Sequence, residues 1–274
     1  MNQVHSPPPF GLIAGNGSFP LLFAKAAMEK NIAVVAVAME GETKTAITDH
    51  VPDVQWVKVG QLSRMIRFFK KHHVQQAAMA GGVKKTRLFM GARPDWTALK
   101  LLAQTALKKD DGMLRAIAAE FEKHGIEIVD STIFMPEALA PSGLLTNRSP
   151  TAQEQKDLDY GLRVAREIGK LDIGQTVVVR EGTVVALEAM EGTDACILRA
   201  GKIANNTKIV VVKVAKPVQD MRFDIPAIGI QTIEAISKAG GKVLGIEANR
   251  TLLLEPEVII KKANQVGITI IGLD

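Results

Sequence analysis

The chain has 274 residues, 47% of them hydrophobic and 23% charged, a size that suits two ordinary domains, each able to build its own core. No apolar run reaches the length of a membrane span, and the single cysteine, Cys196, excludes an internal disulfide and a cysteine-rich metal site, which fits a reducing cytoplasm. The net charge is +5, but Lys58 to Lys123 holds fourteen Lys and Arg against Asp95, Asp110, Asp111, Glu120 and Glu122, a local surplus that rewards an anionic partner such as a phosphorylated ligand or an anionic membrane surface. Nine Phe, two Trp and one Tyr, with no basic–aromatic interleaving, argue against nucleic acid.

The segment from Met1 to Phe10 has three consecutive prolines and no apolar signal-peptide core, so it reads as a flexible arm. Apolar runs then alternate with helical patterns: Phe10–Ala14, Phe19–Lys30, Ala33–Ala38, Leu62–His72 and Gln76–Ala80. Strands that are nearly continuous in apolar residues, separated by helices, predict a parallel, doubly wound, Rossmann-like sheet covered on both faces. Helices are expected at Trp96–Leu107 and Gly112–His124, and a strand at Ile126–Val129.

Gly15, Asn16, Gly17 and Ser18 fall between the first strand and the first helix, where amides and the helix dipole can hold a phosphate. The same residues also suit a plain βα turn. Pro20 replaces the small third residue of a dinucleotide fingerprint, while Glu40 ends the second strand where an acid can read a ribose, so a nicotinamide-dependent oxidoreductase stays open as an alternative. A second glycine turn, Ala80-Gly81-Gly82, should lie on the same carboxyl edge, followed by Lys84, Lys85 and Arg87, which either approach a phosphate or form a solvated loop. In Lys109-Asp110-Asp111-Gly112 an aspartate can cap the following helix.

Met135 to Thr151 is rich in Pro, Ser, Asn and Thr, and marks a boundary between domains 1–140 and 141–274. The second half predicts an α/β domain: a helix at Ala152–Ile168, a hairpin of Thr176–Arg180 and Thr183–Leu187 across Glu181-Gly182, and a helix near Asp194–Ala204. A strand at Lys208–Val214, a helix at Ile230–Ala239, a strand at Lys242–Ile246, a helix at Pro256–Val266 and a strand at Ile268–Ile271 complete it. Glu188, Glu191 and Asp194 are three residues apart beside Thr193, a spacing compatible with hard-cation ligands or with a polar, N-capping turn. Lys216 to Pro226 carries Gln219, Asp220, Arg222 and Asp224. Two aspartates around an arginine can hold a metal or polarise water while the arginine grips a phosphate, or they can form an internal ion pair.

Together the A-G-N-G-S-F-P loop, A-G-G, K-D-D-G, E-A-M-E-G-T-D and K-P-V-Q-D-M-R-F-D-I-P-A-I-G resemble the LpxI-class UDP-2,3-diacylglucosamine pyrophosphatases of lipid A biosynthesis, from Gly11 to the C-terminus. The resemblance implies a metal-dependent hydrolysis, with Mg²⁺ or Mn²⁺, of UDP-2,3-diacylglucosamine to UMP and 2,3-diacylglucosamine 1-phosphate. It implies a nucleotide-binding N-terminal domain, an acyl-sugar-binding and catalytic C-terminal domain, and a substrate between them. The family's catalytic aspartate should be Asp220 or Asp224. The chemistry of the reaction suggests in addition that Asp220, Asp224 and one or more of Glu188, Glu191 and Asp194 hold the metal, with Arg222 on the developing charge. Lys109, Asp110, Asp111, Thr193, Lys216 and Gln219 join the glycine turns as candidate substrate contacts. The protein is expected in the cytoplasm, with peripheral contact to the anionic inner-membrane surface and a homodimer both compatible with the sequence. A non-catalytic carrier of the same nucleotide sugar would use the same pocket.

Overall fold

The computed structural model describes residues 7–83, 93–105, 110–217, 219–222 and 224–274. Lys84, Lys85, Arg87, Lys109 and most of the N-terminal arm lie outside the described residues, and of Asp110 and Asp111 only the helical backbone is described. The chain divides into two compact units: the residues up to Pro136 together with Asp220–Asp224, and Glu137–Gln219 together with Ile225–Asp274.

The first unit runs β1 (Phe10–Ala14), α1 (Phe19–Glu29), β2 (Val34–Met39), a 3₁₀ turn (Thr45–Asp49), β3 (Asp53–Val57), α2 (Leu62–Lys71), β4 (Gln76–Ala80), α3 (Trp96–Thr105), α4 (Asp110–Glu122) and β5 (Glu127–Val129). Its five strands lie in the order β3-β2-β1-β4-β5, all parallel. The winding reverses between β1 and β4, which puts the two glycine turns at the switch point where open α/β sheets leave a crevice. β1 is buried along its whole length, because helices cover both faces and no side of the strand meets water. On one face Ile13, Val35 and Val37 pack with Phe69 of α2 and Phe121 of α4. On the other, Phe10, Phe23 and Phe134 form a ring cluster with centroids 4.9–5.8 Å apart. β3 escapes the sequence pattern because it is an edge strand: Asp53, Val54, Gln55 and Trp56 are exposed or half-buried and only Val57 is fully inside.

The second unit contains β6 (Gly143–Leu144), α5 (Ala152–Lys170), β7 (Thr176–Arg180), β8 (Thr183–Leu187), α6 (Thr193–Ile203), β9 (Ile209–Lys213), β10 (Ala227–Ile228), α7 (Ile230–Lys238), β11 (Gly241–Glu247), β12 (Leu252–Leu253), α8 (Pro256–Val266) and β13 (Thr269–Leu273). The main sheet is ordered β6-β13-β11-β9-β7-β8. β9, β11 and β13 are parallel, while β7, β8 and β6 run antiparallel to their neighbours. Alternation splits the core: Val178, Ala186, Val211 and Leu244 pack with residues of α6, α7 and α8, whereas Val177, Val179, Val210 and Val212 meet Leu158, Ala165 and Ile168 of α5.

Local signals fix the ends of these elements. Thr151 and Glu154 form a reciprocal capping box at the start of α5. The predicted Glu181-Gly182 hairpin turn is present with both residues at positive φ, the backbone that matches strand twist. Asp157, only 2% exposed, holds that turn by accepting from the Glu181 and Gly182 amides at 2.8 and 2.7 Å. No described helix is long and apolar enough to cross a membrane.

Candidate active site

In the first unit the two glycine turns are bound to each other. The Gly15 amide donates to the Ala80 carbonyl at 2.8 Å and the Asn16 amide to the Gly82 carbonyl at 2.7 Å. A Cβ on Gly15 would stand 2.4 Å from the Gly82 carbonyl oxygen, and one on Gly81, whose φ is +80°, would stand 2.2 Å from that of Asn16. Close backbone approach therefore requires glycine at both places. The Asn16 side chain donates to Glu42 Oε2 at 3.0 Å, and Thr43 donates to the Ala14 carbonyl at 2.6 Å. Glu42 and Thr43 are buried and brace the loop after β1. Glu40, the acid that the sequence offered as a ribose reader for the nicotinamide alternative, is exposed. Gly17 is exposed, and Ser18 opens α1 with no side-chain cap while Pro20 occupies its first turn. Pro20 carries no amide hydrogen and the Leu21 amide already donates to the Ser18 carbonyl at 3.0 Å, so what the start of α1 presents is chiefly the positive end of the helix dipole.

The segment Asp220–Asp224, expected with the second domain, packs with the first unit. Charged contacts join the two. Arg222 forks onto Asp220, with Nε 3.0 Å from Oδ1 and Nη2 2.9 Å from Oδ2. Its Nη1 reaches Glu122 of α4 at 3.3 Å, and Arg115 of the same helix lies 3.7 Å from Asp220. The backbone closes the turn: the Arg222 amide donates to Asp220 Oδ1 at 3.2 Å and the Asp224 amide to the Asp220 carbonyl at 3.1 Å. The Arg222 guanidinium holds the Asp220 carboxyl below the usual carboxylate range, against the opposing effect of partial burial. Asp220 in turn raises Arg222. Asp224, half-buried, makes no side-chain hydrogen bond or ion pair among the described residues. The two aspartates that the sequence left equivalent are therefore distinct, one saturated and one available.

In the second unit the chain leaving β9 is held from several directions. The Ala215 amide donates to Glu247 Oε2 at 2.8 Å, the Lys216 amide to Gln219 Oε1 at 2.8 Å, and Lys216 Nζ pairs with Asp172 at 2.8 Å. Gln219 is buried and its Nε2 has no hydrogen-bond partner among the described residues. Arg115, Glu122, Asp172 and Glu247 were invisible to the sequence pattern, because each contributes one side chain from a distant element.

Glu188, Glu191 and Asp194 do not share a face. Glu188, 7% exposed, turns inward from the end of β8 and accepts from Thr193 Oγ1 at 3.2 Å, while its Oε2 is buried without a hydrogen-bond partner among the described residues. Glu191 pairs with Arg199, which lowers its pKa, and Asp194 accepts from Thr232 of α7 at 2.8 Å. The cap of α6 is the backbone of Gly192, so neither Thr193 nor Asp194 is the N-cap residue. Spacing of three would align the carboxylates only if all three lay on one helix, and α6 begins at Thr193. Among the described residues no group of three or more His, Cys, Asp and Glu is placed to hold a metal. A magnesium site of one or two carboxylates completed by substrate phosphates and water needs no such group, and Asp224 fits that donor set.

Comparison with known proteins follows both units. Residues 9–138 match the LpxI N-terminal domain and residues 141–271 the LpxI C-terminal domain. The UDP-2,3-diacylglucosamine pyrophosphatase LpxI of Caulobacter vibrioides (strain ATCC 19089 / CIP 103742 / CB 15) is 35% identical, over 96% of this chain and 97% of that protein. Among solved structures, the biotin carboxylase subunit of pyruvate carboxylase overlaps 63% of this chain and 35% of its own, at 14% identity and a TM-score of 0.27. The biotin carboxylase domain of the Hydrogenobacter thermophilus 2-oxoglutarate carboxylase overlaps 73% and 42%, at 14% identity and 0.28. The chain thus spans less than half of either carboxylase chain. With both family domains matched in order across nearly its whole length, the chain belongs to the LpxI family.

Proposed function

We propose that this protein hydrolyses the diphosphate of UDP-2,3-diacylglucosamine, releasing UMP and 2,3-diacylglucosamine 1-phosphate. The observation that carries the reading is the Asp220–Asp224 turn, where Arg222 saturates Asp220 and leaves the Asp224 carboxylate unpaired among the described residues. An available carboxylate beside a fixed guanidinium is the pairing that hydrolysis of a phosphoanhydride needs: one group to orient water and take its proton, the other to face developing negative charge. Asp224 takes the first role. Arg222 takes the second, and Asp220 acts as its positioning residue.

The glycine turns and the uncapped start of α1 take the nucleotide's phosphates, and the second unit takes the acylated sugar, with Lys216 and Gln219 as polar contacts. The activity depends on Mg²⁺ or Mn²⁺, which would be held by Asp224 with phosphate oxygens and water, and would neutralise diphosphate charge and acidify the bound water. Glu188, Glu191 and Asp194 serve the second unit's own structure. The protein works at the cytoplasmic face of the inner membrane, which it touches peripherally.

Purified protein incubated with UDP-2,3-diacylglucosamine should release UMP with Mg²⁺ present and cease to do so with EDTA. Stoichiometric binding of the nucleotide sugar without UMP release in Mg²⁺ would establish a carrier instead. Undiminished UMP release in EDTA would refute the metal dependence.

A further inference from the structure

α3 carries its apolar residues on the wrong side for a helix of a water-soluble domain. Leu101 faces the core at 7% exposure, but Trp96 is 81% exposed, Leu99 45% and Leu102 40%. At 100° per residue these three, with the exposed Lys100 and Ala103 between and beside them, occupy one arc of the helix. Ordinary surface helices place that stripe against the core and charges outside. A contiguous apolar stripe facing outward marks an interaction site.

The neighbouring helix supplies charge. α2 buries Leu62, Met65, Ile66 and Phe69 and exposes Arg64, Arg67, Lys70 and Lys71. None of these four cations forms an ion pair among the described residues. α2 is tied to the start of α3: the Ser63 amide donates to Asp95 Oδ2 at 2.7 Å and Ser63 Oγ to Thr97 Oγ1 at 2.9 Å. Asp95, whose other oxygen accepts from the Ala98 amide at 3.0 Å, is the one acid in the sequence from Val59 to Thr105. Its charge is spent on the two helix starts. An apolar stripe with an exposed tryptophan, next to a helix whose exposed Arg and Lys have no ion-pair partner among the described residues, is complementary to a bilayer surface that is apolar below and anionic above. A protein partner would need an apolar groove ringed with acids to match both features.

We infer that the α2–α3 surface is a docking face for an anionic lipid bilayer, with Trp96, Leu99 and Leu102 entering the interface and Arg64, Arg67, Lys70 and Lys71 meeting the headgroups. The inference names the surface behind the peripheral contact proposed above. It rests on the lipid-substrate reading only for its purpose, since binding to a bilayer is measurable with no substrate present.

Co-sedimentation of the full chain with phosphatidylglycerol-rich vesicles and with pure phosphatidylcholine vesicles tests it. Binding should be confined to the anionic vesicles and weaken with salt. Both Trp96→Ser/Leu99→Ser and Arg64→Glu/Arg67→Glu should weaken it by about tenfold or more, with thermal midpoints near that of the parent because all four side chains are exposed. In a Trp56→Phe background, Trp96 is the sole tryptophan, and its emission should shift to the blue on anionic vesicles. UMP release from detergent-dispersed substrate should be unchanged in the Ser variants. Several outcomes would overturn the inference: no binding to anionic vesicles, equal binding to both vesicle types, or variants that bind like the parent. Loss of activity on dispersed substrate in the Ser variants would assign the stripe to the substrate's acyl chains, and self-association abolished by them without vesicle binding would assign it to a second copy. Vesicle binding by a protein that releases no UMP would leave the docking face standing and remove only the catalytic reading.

Discussion

Substituting the two aspartates of the 220–224 turn one at a time separates their roles. Asp224→Asn removes the only carboxylate of the turn without a partner among the described residues; if that carboxylate takes a proton in the reaction as proposed, the loss is about 10²–10⁴ in rate. Asp220→Asn is milder. The amide retains an acceptor for the Arg222 amide and Nε, both of which bond Oδ1, and loses the charged Oδ2–Nη2 bond of 2.9 Å. One hydrogen bond between charged groups contributes about 1.5–3 kcal/mol. Because the Arg222 side chain is 38% exposed, solvent screening favours the lower end, a fall in kcat of about tenfold. The assay is UMP release from UDP-2,3-diacylglucosamine at saturating substrate, with KM measured in parallel, and the loss in each variant should appear in kcat. If Asp220→Asn is as inactive as Asp224→Asn, or if Asp224→Asn retains a rate within about threefold of wild type, well short of the loss expected for a general base, the division of labour between the two residues is wrong.

Other consequences concern stability and reactivity. Asp157→Ala strips the Glu181–Gly182 turn of both its amide acceptors and should lower stability by about 2–4 kcal/mol in urea unfolding; a loss below about 1 kcal/mol would show that water replaces the carboxylate fully. Gly81→Ala places a methyl group 2.2 Å from the Asn16 carbonyl oxygen at a φ of +80°, so it should cost about 2–4 kcal/mol and loosen nucleotide binding, whereas unchanged UMP affinity with unchanged stability would contradict the interlocked turns. Burial pushes the Cys196 thiol up to about 12, so Ellman's reagent at pH 8 should react only after unfolding; prompt reaction in the native state would refute that placement. The depressed Asp220 pKa stabilises the folded state fully above its unfolded value of about 3.9. The stability difference between wild type and Asp220→Asn should hold constant from pH 8 to pH 5, about where protonation begins, and shrink as pH falls through the folded-state pKa; a difference that grows on acidification would reverse the assigned cause.

Much of this was legible before any coordinates. Unbroken apolar runs such as Phe10–Ala14 and Lys208–Val214 announce strands buried on both faces, since only a doubly covered sheet removes both sides from water. Glu181-Gly182 announces a hairpin because its backbone demand is local. The family could be read from ordered short segments for the same reason: each segment's chemistry is written in neighbouring residues. β3 was not legible, because an edge strand keeps polar side chains and loses the apolar signal. The even spacing of Glu188, Glu191 and Asp194 misled because a helical period applies only within one helix, and the break at Gly192 sends each carboxylate to a different partner.

The sequence by itself determined the strands of the two sheets and the switch-point turns, because these follow from local backbone preference and hydrophobic period. Only the tertiary structure decided which aspartate is available. Arg222 stands two residues from both Asp220 and Asp224, and nothing in the spacing says which it will bind. Helix α4 breaks the tie by bringing Arg115 toward Asp220 and Glu122 toward Arg222 from about a hundred residues away. Charges so distant in the chain meet only in the folded unit to which both segments belong.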